Sequence, residues 1–384
     1  MKQAYLKPNF SKEEQNQTKS SWALKINYAR LKKTNYLFLL ALTMLFASSC
    51  SDDNEKGDTL YSNGAFILNE GNYQRSNASV SFLNFNSDSV TNNIFYKSNN
   101  RPLGDVLQSM VIYKEKAYLV LNNSNKIEVV NVDDFKQTGT LENLSQPRYL
   151  TFYNNKGYLT QWGTVTSIAG NVAVFDAPTL TIDTIIPLGN GPEGIVVLNN
   201  KIWIANGGGL GIDSTITVID PATNCIIKNI VVGYNPQNFT IDNENQLWVL
   251  CYGVSDWTNS NNDKSSQLVR INPNDYSIVL RIEIGKNSHP SILCSNKAKS
   301  ILYYGGGFNL SGIWKMNVKA TSVESKPFID GLFYGFSVNP ENDEIYAFDA
   351  KDYATAGDLI RYSSSGSKIK SYTVGMIPKS AVFK

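Results

Sequence analysis

A proline-containing turn recurs along this chain at a nearly fixed interval. Gly189-Asn190-Gly191-Pro192, Gly233-Tyr234-Asn235-Pro236 and Gly375-Met376-Ile377-Pro378 share the pattern G-x-x-P, and Pro147 and Pro290 occupy the same place in looser copies. The intervals are 45 residues (147 to 192), 44 (192 to 236), 54 (236 to 290) and 88 (290 to 378), the last being two periods. A repeat of this length belongs to solenoids and propellers, where each unit buries its apolar face only against its neighbours.

One copy shows what the unit contains. Residues 194–198 form a short apolar strand and Asn199-Asn200 supply a hairpin turn. Residues 201–206, 215–221 and 225–233 give three more strands, with a Gly-rich loop before the second of these. Short β-branched and aromatic runs separated by Asn, Gly and Asp turns predict a four-stranded antiparallel blade. No segment after residue 60 carries a convincing helical period.

The second strand sets the register. Phe66, Tyr118, Tyr158, Trp203, Trp248 and Tyr346 fall at matching places, with Ile301 as the seventh. Large aromatics there are expected to pack between blades as core. Seven second strands imply seven blades. The first, at 65–71, lacks an inner strand before it, while 379–383 is one strand too many at the other end. Closing the ring with that strand protects the edges of an open array. The expected fold is therefore all-β: a single seven-bladed β-propeller over residues 62–384, closed by the C-terminal strand joining the N-terminal blade.

Residues 1–49 read as a lipoprotein signal peptide. Lys32-Lys33 precede the apolar run Tyr36 to Ala47, followed by Ala47-Ser48-Ser49-Cys50. The run is short for a membrane span and has the flanks of a secretory signal. Cys50 after small residues resembles a bacterial lipobox, which marks it for lipidation. Residues 50–61, with the acidic stretch Ser51-Asp52-Asp53-Asn54-Glu55, are expected to be a flexible tether resembling surface-export tags of Bacteroidota lipoproteins. The leader carries eight Lys/Arg and two Asp/Glu, so the chain's net +2 becomes −4 without it. A mature chain of that charge gives no case for nucleic acid.

Classical catalytic constellations find little support. His289 is the sole histidine, which weighs against His-rich metal sites and Ser-His-Asp or Cys-His arrangements. Beside Pro290 it reads as a loop residue. Cys225, Cys251 and Cys294 fall in three different blades without C-x-x-C spacing and are expected to be buried thiols, a Cys251–Cys294 bridge remaining open. The runs Gly207-Gly208-Gly209 and Gly305-Gly306-Gly307 read as turns, since no helix follows to hold an anion. No cofactor and no metal are expected.

The residue after each turn proline is expected to point into the central channel. In blade order with closure these are Ser109, Arg148, Glu193, Gln237, Ser291, Tyr334 and Lys379. Mixed polar groups are poor core filler and suit a mouth that presents different hydrogen bonds. Loops after the second strand add Tyr73, Trp162, Tyr252, Trp257, Tyr304, Phe308 and Tyr353. Blade 5 carries an insertion, Gly253 to Ser266, around Trp257, and this accounts for the long interval. Rigid aromatics with polar groups between them suit a large, partly flat ligand.

The G-x-x-P turns, the segment Ile219-Asp220-Pro221-Ala222-Thr223 and the aromatic second strand resemble YncE-like seven-bladed propellers. Leu68-Asn69-Glu70-Gly71-Asn72, Arg101-Pro102-Leu103-Gly104-Asp105 and Asn122-Asn123-Ser124-Asn125-Lys126 resemble the Bacteroidota surface-lipoprotein branch. That branch includes the vitamin B12-capturing, BtuG-like lipoproteins, which hand corrinoids to a TonB-dependent outer-membrane transporter. The resemblance implies a lipid-anchored, cell-surface monomer of the outer membrane that binds a bulky small-molecule nutrient, a corrinoid in the favoured case, and partners such a transporter. It does not carry corrinoid-contacting residues over one by one. A protein- or glycan-binding module is the alternative. A lactonase or lyase using Arg148, Glu193 and Tyr334 is a more distant one, so the chain is not expected to be an enzyme.

Overall fold

The computed structural model describes residues 59–163, 169–256, 258–306 and 310–384. Cys50, Trp257 and Phe308, with the leader and most of the tether, lie outside the described residues.

The repeat folds into seven antiparallel sheets, giving a seven-bladed β-propeller. Blade 4 is typical: Pro192–Leu198, Lys201–Asn206, Thr215–Asp220 and Cys225–Val231 lie side by side in chain order. The innermost strands are mostly half-buried around the axis, the second strands are almost wholly buried, and the outermost are largely exposed. In the first blade, Pro378–Phe383 pairs antiparallel with Gly64–Asn69, placing Ala65 opposite Phe383 and Leu68 opposite Ser380. The C-terminal strand thus closes the ring.

Blade 6 departs from the four-stranded plan. It has Ile292–Ser295, Ile301–Gly305 and Ile313–Asn317, with a lone bridge between Ile313 and Ile329 where a fourth strand would lie. The residues available for that strand are mostly polar, and Pro327 has no N–H to give to a ladder. A second difference is a six-residue helix, Ile94–Asn99, which joins blades 1 and 2 and buries Ile94 and Phe95.

The aromatic stripe is complete, and the structure corrects its seventh member. Tyr303 lies opposite Lys315, as Trp248 lies opposite Arg270 and Tyr346 opposite Arg361. Tyr303 therefore holds the place expected for Ile301. All seven aromatics are buried, and Trp203 of blade 4 shares a core cluster with Leu247 and Val249 of blade 5. Packing of this kind welds neighbouring blades. The packed chain begins by Tyr61, whose ring meets those of Phe66, Phe82 and Phe135.

Candidate functional site in the channel mouth

The recurring turn aims side chains into the channel by a local device. The residue before the turn proline lies in the left-handed region at Gln146, Gly191, Asn235 and Ile377, and Val106 does the same in blade 2. The inner strand then begins with a break in register, between Leu107 and Ser109, Pro147 and Leu150, Pro192 and Ile195, and Pro236 and Asn238. Such bulges re-aim the side chain they carry. In blade 2 Leu107 stands where five of the other six blades have proline, so Gln108 is the residue in register with Arg148 and Gln237, and Ser109 lines the same cavity beside it. Ser109 also donates its hydroxyl to the Arg148 carbonyl oxygen at 2.7 Å, stitching blade 2 to blade 3.

Gln108, Arg148, Gln237, Ser291, Tyr334 and Lys379 line one cavity of about 610 Å³ on the ring axis. Glu193 stands behind Arg148 rather than on the cavity wall. Its carboxylate accepts from Arg148 Nε at 3.1 Å through one oxygen and lies 3.0 Å from Nη2 through the other. The guanidinium also lies 4.1 Å over the Trp162 ring centroid. Burial opposes the guanidinium's charge, yet Glu193 and the other negative partners hold Arg148 above its ordinary value. Gly207 makes the arrangement possible, since a Cβ there would lie 2.6 Å from Glu193 Cγ.

A second charged cluster forms where blades 7 and 1 meet. Lys379 Nζ lies 3.3 Å from Glu70 Oε2, and the Tyr334 hydroxyl donates to that oxygen at 2.9 Å. Burial first, and Glu70 second, push the Tyr334 phenol well above its usual range, so it stays a donor. Glu70 escapes the reading by turn prolines because it is not on an inner strand. It sits one residue past the second strand of blade 1, as Trp162 and Tyr252 do in blades 3 and 5. That shared offset is the signal that finds it.

The remaining candidates divide. Tyr252 lines the cavity, and its ring centroid is 5.0 Å from that of His289. Tyr353 meets Tyr334 edge to face at 5.7 Å. Tyr73 is exposed on the loop of blade 1. Tyr304, however, is fully buried between blades 5 and 6 with Leu250 and Leu268, so it is core and not mouth. Its neighbour Tyr303 occupies the stripe, and alternation along the strand sends Tyr304 to the other buried face.

His289 is no idle loop residue. It is fully buried, with Nδ1 2.7 Å from the Tyr252 carbonyl oxygen and Nε2 3.1 Å from Asp263 Oδ2. It ties the blade 5 insertion to the strand that follows. Burial pushes the Asp263 carboxyl up, but the bonds from His289 and the Asn287 N–H prevail and hold it below the usual range. Cys225, Cys251 and Cys294 are free thiols, and Cys225 is exposed rather than buried. Burial pushes Cys251 and Cys294 up to about 12, which leaves them poor nucleophiles. Among the described residues no group of three or more His, Cys, Asp or Glu is placed to hold a metal.

The sequence profile of DUF5074, a domain of unknown function, matches residues 63–384. The chain belongs to this family. Among solved structures, the DUF5074 propeller is similar to a quinonprotein alcohol dehydrogenase-like protein from Bacteroides thetaiotaomicron, at 15% identity, with 84% of this chain and 78% of that chain covered and a TM-score of 0.63. It is also similar to a functionally unknown protein from Desulfotomaculum acetoxidans, at 12% identity, with 84% and 99% covered and a TM-score of 0.62. A candidate 6-phosphogluconolactonase from Bacteroides fragilis gives 11% identity, 85% and 99% coverage and a TM-score of 0.61. At these identities the likeness is one of fold. No curated protein matches the chain by sequence.

Proposed function

We propose that this DUF5074 propeller is a lipid-anchored binding protein of the outer-membrane surface. Its channel mouth captures a bulky, partly flat nutrient, a corrinoid in the favoured case, and passes it to a TonB-dependent transporter. The observation that carries the reading is the convergence of six polar side chains of five kinds, one from each of six blades, on a single cavity with Tyr252 in its wall. Trp162 and Tyr353 stand beside it, the first under the Arg148 guanidinium and the second edge to face with Tyr334. A planar ligand face covers Tyr252 and Tyr353, while Gln237, Ser291 and Tyr334 meet its polar edge. A corrin ring rimmed with carboxamides has the matching groups. The anchor rests on Cys50.

The lactonase alternative draws less support from the geometry. Glu193, its general base, is buried with both oxygens engaged by Arg148, which leaves it badly placed to take a proton from a substrate. Tryptophan quenching or calorimetry with cyanocobalamin, haem and a siderophore tests the binding reading. Saturable corrinoid binding, weakened at least tenfold by Tyr252→Ala, is expected. Tight binding to none of the three ends this reading. Loss of lipid labelling in Cys50→Ala tests the anchor separately.

A further inference from the structure

The charges in the channel mouth bear on the kind of ligand it accepts. Arg148 is held by Glu193 through two contacts, and Lys379 is held by Glu70, which also takes the Tyr334 hydroxyl. These two cations and two anions leave the mouth with no net charge. A ligand carboxylate can reach Arg148 only by displacing Glu193, which is 2% exposed and would be left buried without its partner. A ligand ammonium meets the same obstacle at either carboxylate. Unpairing a buried ion in this way weakens binding by on the order of 100-fold.

The groups not committed to ion pairs are neutral. Gln237 offers a carboxamide and Ser291 a hydroxyl on the cavity wall. Beneath Arg148, the Trp162 indole N–H is closed off from solvent and has no hydrogen-bond partner among the described residues. That N–H is closed off from the cavity as well, so the wall presents a ligand with Gln237 and Ser291 rather than with the indole.

We infer that the mouth selects ligands rich in uncharged hydrogen-bonding groups, amides above all, and discriminates against carboxylates and ammonium groups. The inference rests on the reading of the channel as a binding site, but not on the ligand being a corrinoid. The Arg148–Glu193 and Lys379–Glu70 pairs act as fixed, self-neutralised walls, and Gln237 and Ser291 supply neutral donors and acceptors between them.

Calorimetry on the full chain tests this with cyanocobalamin and a corrinoid whose side-chain amides are hydrolysed to carboxylates. The amide form is expected to bind at least 100-fold more tightly, with less than a twofold change between low and high salt. Glu193→Gln, which frees Arg148, is expected to raise affinity for the acid form at least tenfold. Glu70→Gln provides the same test at Lys379 if the first variant fails to fold. Equal or tighter binding of the acid form by the unaltered chain overturns the inference. If neither corrinoid binds, the corrinoid reading falls and citrate decides the charge selection. Binding of citrate only after Glu193→Gln or Glu70→Gln supports the inference; binding to the unaltered chain, or to none of the three, overturns it.

Discussion

On the face away from the mouth, six blades close the turn that follows their third strand in the same way. Asn84, Asn131, Asp176, Asp220, Asn272 and Asn317 each accept a backbone N–H two or three residues on, at 2.8–3.1 Å. Around the mouth, the seven residues at the entry to the inner strands are Gln108, Arg148, Glu193, Gln237, Ser291, Tyr334 and Lys379, with only glutamine used twice. The exposed apolar loop residues Leu332, Leu210 and Tyr73 also belong to the mouth side. One face repeats because every blade must turn its backbone there, and Asn or Asp does so with a local hydrogen bond. The other repeats its backbone and varies its side chains. Folding constrains the first face and leaves the second free for recognition.

The contrast can be broken outright by deleting residues 378–384. That removes the closing strand and Lys379 together, and the cooperative thermal transition should disappear, a loss of the whole ~5–15 kcal/mol typical of a domain. A cooperative melt followed by circular dichroism would show that closure is dispensable. Trp248→Ala strikes the packing between blades and removes one of the donors to Asp242, which accepts from the Trp248 indole at 2.8 Å. It should cost about 3–5 kcal/mol in urea unfolding while leaving ligand affinity per folded molecule unchanged. Gly207→Ala should do the reverse. Crowding Glu193 off Arg148 is expected to cost about 1–3 kcal/mol and to change ligand affinity strongly. Asn131→Ala, on the repeating face, should cost about 1 kcal/mol with no effect on binding.

Acid sharpens the contrast most gently. The Asp263 carboxyl lies below its usual range in the folded chain. Its contribution is therefore complete above the unfolded value near about 4 and is lost as pH falls through the lower folded value. Amide hydrogen exchange across 254–256 and 258–266 should quicken below about pH 4 before the blade cores respond. Asp263→Asn should remove that dependence. An acid response that is unchanged in the variant would assign the effect elsewhere.

Blade number, closure and six of seven stripe aromatics were legible because they depend on local pattern and period. Tyr303 was missed because two tyrosines stand side by side at 303–304, and only the pairing with Lys315 shows which one faces the stripe. Gln108 was missed because blade 2 has Leu107 where five of the other six blades have the proline landmark. The partners of Arg148 and Lys379 were illegible for a different reason. Glu193 lies 45 residues from Arg148, and Glu70 lies in the first blade while Lys379 lies in the last strand. Such pairs are fixed by the radius of the ring and the offset of one blade from the next. The tie between His289 and the blade 5 insertion likewise joins residues 26 apart through a loop whose path no periodicity describes.

The pairing of Leu68 with Ser380 also sets an order in time. Blades 2 to 7 each draw their strands from one contiguous stretch and can complete as the chain emerges. Blade 1 cannot, because the partner of its second strand is made only after blades 2 to 7. Until then Gly64–Asn69 presents an unpaired edge, and closing so long a loop is entropically slow. The first blade to leave the ribosome is the last of the seven to be finished, so a pause before Pro378–Phe383 is made holds the entire ring open.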